Sequence, residues 1–241
     1  MALKKRCFLL IFFFVACMEQ SAISEPLEIG MLDFPPYYIL GKNEEVKGGL
    51  LVDMLVKIFD RAGIEYTLAG YPPKRLYSNV GKGITHIWLG TLGVSEYEGK
   101  TIVSPKKMAE INLHVFSMNK SIPLPKSLNE LKGKSVITIF GYNYGGVIKF
   151  LEDPANNIVL EPAKTHESAF MMLKMERAGF VLDYIEPAGE ALSKLKLSDL
   201  SHAPITELPL YIHIAKTLPD AQQIMDRLMN AYEELKKEGK L

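Results

Sequence analysis

The chain has 241 residues, 28 basic and 28 acidic, and 48% of it is hydrophobic. That balance leaves no cationic surplus for nucleic acid or anionic lipid to grip, so neither is expected as the main partner. With no low-complexity tract, the composition excludes a disordered chain and leaves an ordinary globular one.

The first 24 residues read as an export signal. Lys4, Lys5 and Arg6 precede an unbroken apolar run from Phe8 to Ala16, and Ala22-Ile23-Ser24 then offers a small-x-small cleavage site. The run is roughly half the ~20 residues that a spanning helix needs, and no later segment approaches that length. Phe14-Val15-Ala16-Cys17 partly resembles a lipobox, in which Cys17 would be acylated. Phe14 departs from the aliphatic residue usual there, so simple cleavage after Ser24 is the expectation. Cleavage leaves 217 residues (241 less 24), outside the cytoplasm, with 25 basic against 27 acidic groups and a net charge of about −2. Cys7 and Cys17 are the two cysteines and both depart with the leader. A thiol-free exported chain must stabilise itself by burial, as one large domain or two small lobes.

Strand-like runs and amphipathic helices then alternate. Leu27 to Leu32 predicts a strand. Gly48-Gly49 opens a helix whose apolar positions Leu51, Met54, Leu55, Ile58, Phe59 and Ala62 form one stripe, with Gly63 as its stop. Ile64 to Ala69 predicts a second strand, Pro72-Pro73 starts a short helix, and His86 to Leu89 predicts a third strand. This rhythm implies right-handed crossovers onto a parallel sheet. After a strand at Ile111 to Phe116, Pro123 and Pro125 break the chain and the rhythm restarts. A short helix carries Leu128 and Leu131, and a strand at Ser135 to Phe140 runs into a glycine-marked turn. A helix at Glu167 to Arg177, a strand at Phe180 to Asp183 and a helix from Glu186 follow. Tyr211 to Ala215 predicts a last strand, and a final helix puts Ala221, Ile224, Met225, Leu228, Tyr232 and Leu235 on one face. Two αβ units of similar size, joined near Phe116 to Lys120 and near Pro209 to His213, predict two lobes with a cleft between them.

Several short marks carry a resemblance. They are Phe34-Pro35-Pro36-Tyr37-Tyr38 after the first strand, Gly48-Gly49-Leu50-Leu51-Val52-Asp53 at the first helix and Ser95-Glu96-Tyr97-Glu98-Gly99-Lys100. Gly133-Lys134-Ser135-Val136 precedes Gly141, and Tyr211-Ile212-His213-Ile214-Ala215-Lys216 precedes the last helix. In order and spacing the chain resembles the family 3 extracellular solute-binding proteins, the amino-acid-binding components of ABC importers, over nearly all of the mature length. The resemblance implies an α/β, two-lobed type II periplasmic-binding-protein fold, each lobe a mostly parallel sheet flanked by helices. Residues 25–117 and 210–241 would form the first lobe and 118–209 the second, with the C-terminal segment returning to complete the first. It further implies a monomer that binds a small polar solute and meets a membrane permease, without a cofactor or metal.

Candidate ligand-binding residues lie at strand ends, where open αβ sheets place ligands. Phe34, Tyr37 and Tyr38 either stack on an apolar or cationic solute group or pack the lobe edge. Trp88 either reaches the cleft or is a core tryptophan. By the resemblance, Phe34 lines the cleft, Thr91 supplies a ligand-binding hydroxyl, and Asp183 pairs with a ligand ammonium. Where the family carries an arginine that grips an α-carboxylate, this chain has Glu98, and a carboxylate cannot grip a carboxylate. Arg75, at the start of a helix, is either its replacement or a solvated surface residue. Tyr142 sits in the Gly141 to Gly146 turn, whose free N–H groups suit an anion, and replaces a small hydroxyl residue of the family.

Enzyme motifs are absent. Gly93-Val94-Ser95-Glu96-Tyr97 lacks the second glycine of a nucleophile elbow, and Gly133-Lys134-Ser135 lacks a P-loop's first glycine, Leu128 standing in its place. His86, His114, His166, His202 and His213 show no i, i+4 pairing and read as surface or core residues. Two alternatives to transport remain: a sensing subunit for a membrane kinase or chemoreceptor, and a cyclohexadienyl-type dehydratase using Glu98 or Asp183.

Overall fold

The computed structural model describes residues 25–241. The expected leader, its cleavage site and Cys17 lie outside the described residues. In chain order the elements are β1 (Leu27–Met31), β2 (Ile39–Leu40), β3 (Val46–Gly48), α1 (Leu50–Ala62), β4 (Tyr66–Gly70), α2 (Pro73–Lys82), β5 (Ile87–Thr91), β6 (Thr101–Val103) and β7 (Ala109–Ser117). They continue with β8 (Ser135–Ile139), α3 (Val147–Leu151), β9 (Val159–Ala163), α4 (His166–Lys174), β10 (Phe180–Tyr184), α5 (Ile185–Leu195), β11 (Ser201–Ala215) and α6 (Ala221–Lys237). No helix among the described residues is long and apolar enough to cross a membrane.

Among the described residues, nine strands form one mixed sheet, in the order β4-β1-β5-β11-β7-β10-β8-β9 with β6 also on β11. At one end β4, β1 and β5 run parallel, and at the other so do β10, β8 and β9. Crossover helices join such parallel neighbours, and α1, α2 and α4 are those the apolar periodicity predicts. Between the two groups lies an antiparallel ribbon. β7 pairs with β11 from Ser117 opposite Ser201 to Ala109 opposite Leu210. β11 continues along β5 from Leu210 to Ile214, while β7 pairs with β10 from Leu113 to Phe116. The ribbon thus belongs to both groups of strands. α6 packs on α1, and Arg61 holds Glu238 through two 2.9 Å contacts, which returns the C-terminal helix to the first group.

The expected strand at Tyr211 to Ala215 is the end of a fifteen-residue strand. Pro204 and Pro209 hide its first part, because proline cannot donate to a ladder and argues against a central strand. Here Pro204 sits at a register shift before Thr206, which lets the strand pass through it. β9, the β2–β3 hairpin and β6 are further strands that periodicity does not mark. Leu55, Ile58, Phe59, Leu76, Ile87, Leu113, Ile137 and Leu228 are fully buried in the core.

Candidate functional site

The carboxyl ends of β1 and β5 face those of β8 and β10 across the ribbon, and the loops that follow them converge on an aromatic cavity. Phe34 and Tyr38 come from the loop after β1, Trp88 and Thr91 from β5, Tyr142 from the turn after β8, and Tyr184 from the end of β10. Tyr77, Tyr144, Leu89 and Leu210 complete much of the wall. The cavity is about 40 Å³, which holds no more than about three waters. Its wall contains no charged side chain.

Local structure fixes the rings. Phe34 N–H donates to Tyr38 O, and the N–H groups of Tyr37 and Tyr38 return to Phe34 O, each at 2.9 Å. The first N–H groups of α1 anchor this turn, Leu50 to Pro36 O at 3.0 Å and Leu51 to Tyr37 O at 3.1 Å. Gly49 makes the approach possible: at φ +130 a Cβ there would run into the Tyr37 carbonyl. Phe34 then stacks on Tyr37 at 5.4 Å and meets Tyr184 edge-on at 5.0 Å and Tyr142 at 6.0 Å. Tyr184 stacks on Tyr144 at 5.6 Å, and Tyr38 lies 5.7 Å from Trp88. Offset and edge contacts of this kind add to simple burial.

Three of the wall hydroxyls are taken up by the protein. Tyr38 Oη donates to Leu89 O at 2.8 Å, Tyr142 Oη to Asp33 O at 2.8 Å and Tyr144 Oη to Leu182 O at 3.3 Å. Tyr97, behind the wall, donates to Thr91 O at 2.7 Å and accepts from Trp88 Nε1 at 3.3 Å. Burial pushes Tyr38, Tyr142, Tyr144 and Tyr184 well above the usual phenol range, so all four remain neutral.

Asp183 is completely buried and already partnered. Its Oδ2 meets His166 Nδ1 at 2.7 Å and its Oδ1 accepts Tyr184 N–H at 2.8 Å. His166 Nε2 is 3.2 Å from Tyr142 Oη. Since Tyr142 spends its one hydrogen on Asp33 O, its oxygen accepts from His166, and an imidazolium with both N–H groups donating satisfies the chain. Burial pulls the His166 pKa down, but the charge and hydrogen bond of Asp183 outweigh it and the net shift is upward.

Phe34, Tyr38, Trp88, Thr91 and Tyr142 therefore meet on one cavity wall. Tyr37 is half-buried behind Phe34, and burial, together with the charge of the nearby Glu186 carboxylate, pushes its hydroxyl pKa up. Arg75 is exposed, 5.3 Å over the ring of Tyr71, and Glu98 is exposed in the turn after Tyr97; neither is on the wall. Sequence reasoning misses Tyr77, Tyr144, Tyr184, His166 and Glu186. Tyr184 is the most accessible of these, since it directly follows Asp183 at a strand's carboxyl end. The Oε2 atom of Glu186 is buried without a hydrogen-bond partner. Among the described residues, no group of three or more His, Cys, Asp or Glu side chains is placed to hold a metal ion.

No protein-family model matches this sequence, and no curated protein does. Solved structures do match. A histidine kinase sensor domain with similarity to periplasmic binding proteins is 15% identical, with a TM-score of 0.72 over 89% of this chain and 92% of its own. An ancestral arginine-binding protein bound to arginine is 19% identical, with a TM-score of 0.70 over 89% and 94%. The substrate-binding protein of an amino-acid ABC transporter is also 19% identical, at 0.67 over 89% and 94%. The fold is that of the periplasmic binding proteins. Its parallel strand groups on either side of the β7–β11 ribbon are how this chain builds that fold.

Proposed function

We propose that this protein is a periplasmic solute-binding protein, exported with a cleaved leader, that captures a small polar solute as a monomer and delivers it to the permease of an ABC importer. Residues 25–117 with 210–241 act as one lobe and 118–209 as the other, hinged on the β7–β11 ribbon. The observation that carries this reading is the shared cavity: Phe34, Tyr38 and Trp88 from one group of strands face Tyr142 and Tyr184 from the other. A site built from both lobes rewards closure with ligand contacts, which is how a solute shifts the population toward a closed state. Binding, not turnover, fits the chemistry. Glu98 stands away from the wall, and both oxygens of Asp183 are engaged. The amino-acid-binding neighbours support capture of a small solute.

A second reading has its own support. The fold is shared with a histidine kinase sensor domain, so the same closure could report a solute to a membrane kinase or chemoreceptor instead of delivering it. A thermal-shift screen of the purified protein against amino acids, polyamines, quaternary ammonium compounds, opines, organic acids and small peptides tests the common claim. A solute at 100 times its dissociation constant adds about 2.7 kcal/mol of stability. Stabilisation by one class supports solute binding, and uptake of that solute by cells with and without the protein separates transport from sensing. Turnover of a cyclohexadienyl acid, or no stabilisation by any class, would overturn the proposal.

A further inference from the structure

The cavity wall also limits which solute can be held. An α-carboxylate released from water needs a cation or a set of free donors. The wall has no Arg or Lys, Arg75 lies outside it against Tyr71, and three wall hydroxyls are donated to main-chain carbonyls, so the side-chain donors left to a carboxylate are neutral hydroxyls such as those of Thr91 and Tyr184. A primary ammonium has the opposite need, up to three acceptors. The oxygens of Tyr142 and Tyr144 already accept, from His166 and from Ile139 N–H at 2.6 Å. What the wall does offer is ring surface, from Phe34, Tyr38, Trp88, Tyr142 and Tyr184.

Two acidic residues, Asp183 and Glu186, flank Tyr184 at the end of β10 and the start of α5. Asp183 is neutralised by His166. Glu186 follows Tyr184 by two residues and lies close to the hydroxyl of Tyr37, whose ring stacks on Phe34. One of its carboxylate oxygens is buried with no partner, and a buried anion in that state is costly unless something compensates it. A permanently alkylated ammonium meets all of these conditions. It needs no hydrogen bonds, is attracted to ring faces, and would offset the Glu186 charge.

We infer that the solute is a small organic cation with a quaternary ammonium group, held against Phe34, Trp88 and Tyr184 and balanced by Glu186. This inference rests on the solute-binding reading above. Because the cavity is about 40 Å³, the ligand enters as the rings part.

The test uses Trp88, the single tryptophan, as a built-in reporter on the wall. Its emission in the full-length purified protein is titrated with choline, with the neutral isostere 3,3-dimethyl-1-butanol and with a panel of L-amino acids. Choline is expected to saturate the signal at least about tenfold more tightly than the isostere, the size of cation–π and charge effects in a desolvated site. Glu186→Gln should weaken choline about fivefold or more and leave the isostere unchanged, which also shows that the variant is folded. Equal binding of choline and its isostere would overturn the inference. A response to an L-amino acid with none to choline would overturn it too, and would leave the solute-binding reading standing. Silence toward every solute would overturn both.

Discussion

His213 should make this protein acid-sensitive by a calculable amount. The residue sits on β11 opposite Trp88, 1% exposed, with its ring 4.9 Å from that of Tyr97. Nδ1 lies 3.1 Å from Thr101 Oγ1, and Nε2 is buried without a partner. Burial pushes its pKa down from 6.5 to about 4, and the nearby main chain of Gly90 and Thr91, although not in hydrogen-bond geometry with the ring, offsets part of the cost. The unfolded chain therefore takes up a proton near pH 6.5 and the folded one only near pH 4. The stability contributed by the neutral ring is intact above pH 6.5 and is lost as pH falls toward 4. At 1.36 kcal/mol per unit, the shift corresponds to a loss of about 3 kcal/mol across that window. Urea unfolding of the wild type and of His213→Gln at pH 7 and pH 4 measures it. Any cost of the substitution itself cancels in the difference between the two pH values. The wild type should lose about 3 kcal/mol more than the variant. Parallel pH profiles would show that His213 is not buried neutral, and the reasoning would fail.

Three other substitutions follow from the geometry. Tyr142→Phe strips the donor from Asp33 O and the partner from His166 Nε2, and should lower stability in urea by ~1–3 kcal/mol. Gly93, at φ +77, would place a Cβ 2.8 Å from Gly145 O in the facing loop. Gly93→Ala should cost ~1–3 kcal/mol and keep the radius of gyration in X-ray scattering larger than that of the wild type when solute is added. Arg75→Ala should change solute affinity by less than about twofold in a calorimetric titration, because an exposed cation over Tyr71 is worth only ~0.5–1 kcal/mol and lies off the wall.

Much of this architecture is legible in the sequence itself. The stripe from Leu51 to Ala62 and the stop at Gly63 identify α1, and the alternation of strands and helices implies the two parallel groups. The ribbon is harder to read. Pro204 and Pro209 break the strand pattern of β11, and only pairing with β7 compensates for them. β9 carries Pro162 and is the terminal strand of its sheet, where a missing donor costs little. At the site, position relative to strand ends singles out Phe34 and Tyr142, the resemblance adds Thr91, and Trp88, open in the sequence between cleft and core, lines the cavity. Arg75 shows what that rule omits. α2 turns Leu76, Tyr77 and Val80 inward, so the helix brings Tyr77 to the wall and leaves Arg75 in solvent. Asp183 stands out by its place at the end of β10, but its pairing with His166, 17 positions earlier, depends on how α4 packs on that strand. The partnerless oxygen of Glu186 is likewise a property of packing and not of spacing.

Solute capture between the two strand groups stands or falls on where a solute binds. A crystal structure of the protein with the solute that stabilises it most in the thermal-shift screen decides this. The solute is expected in the aromatic cavity, in contact with Phe34 and Trp88 on one side and Tyr184 on the other. Density instead in the neighbouring recess of about 330 Å³, lined by Asp33, Phe140, Glu167 and Lys194, would contradict capture by the aromatic wall.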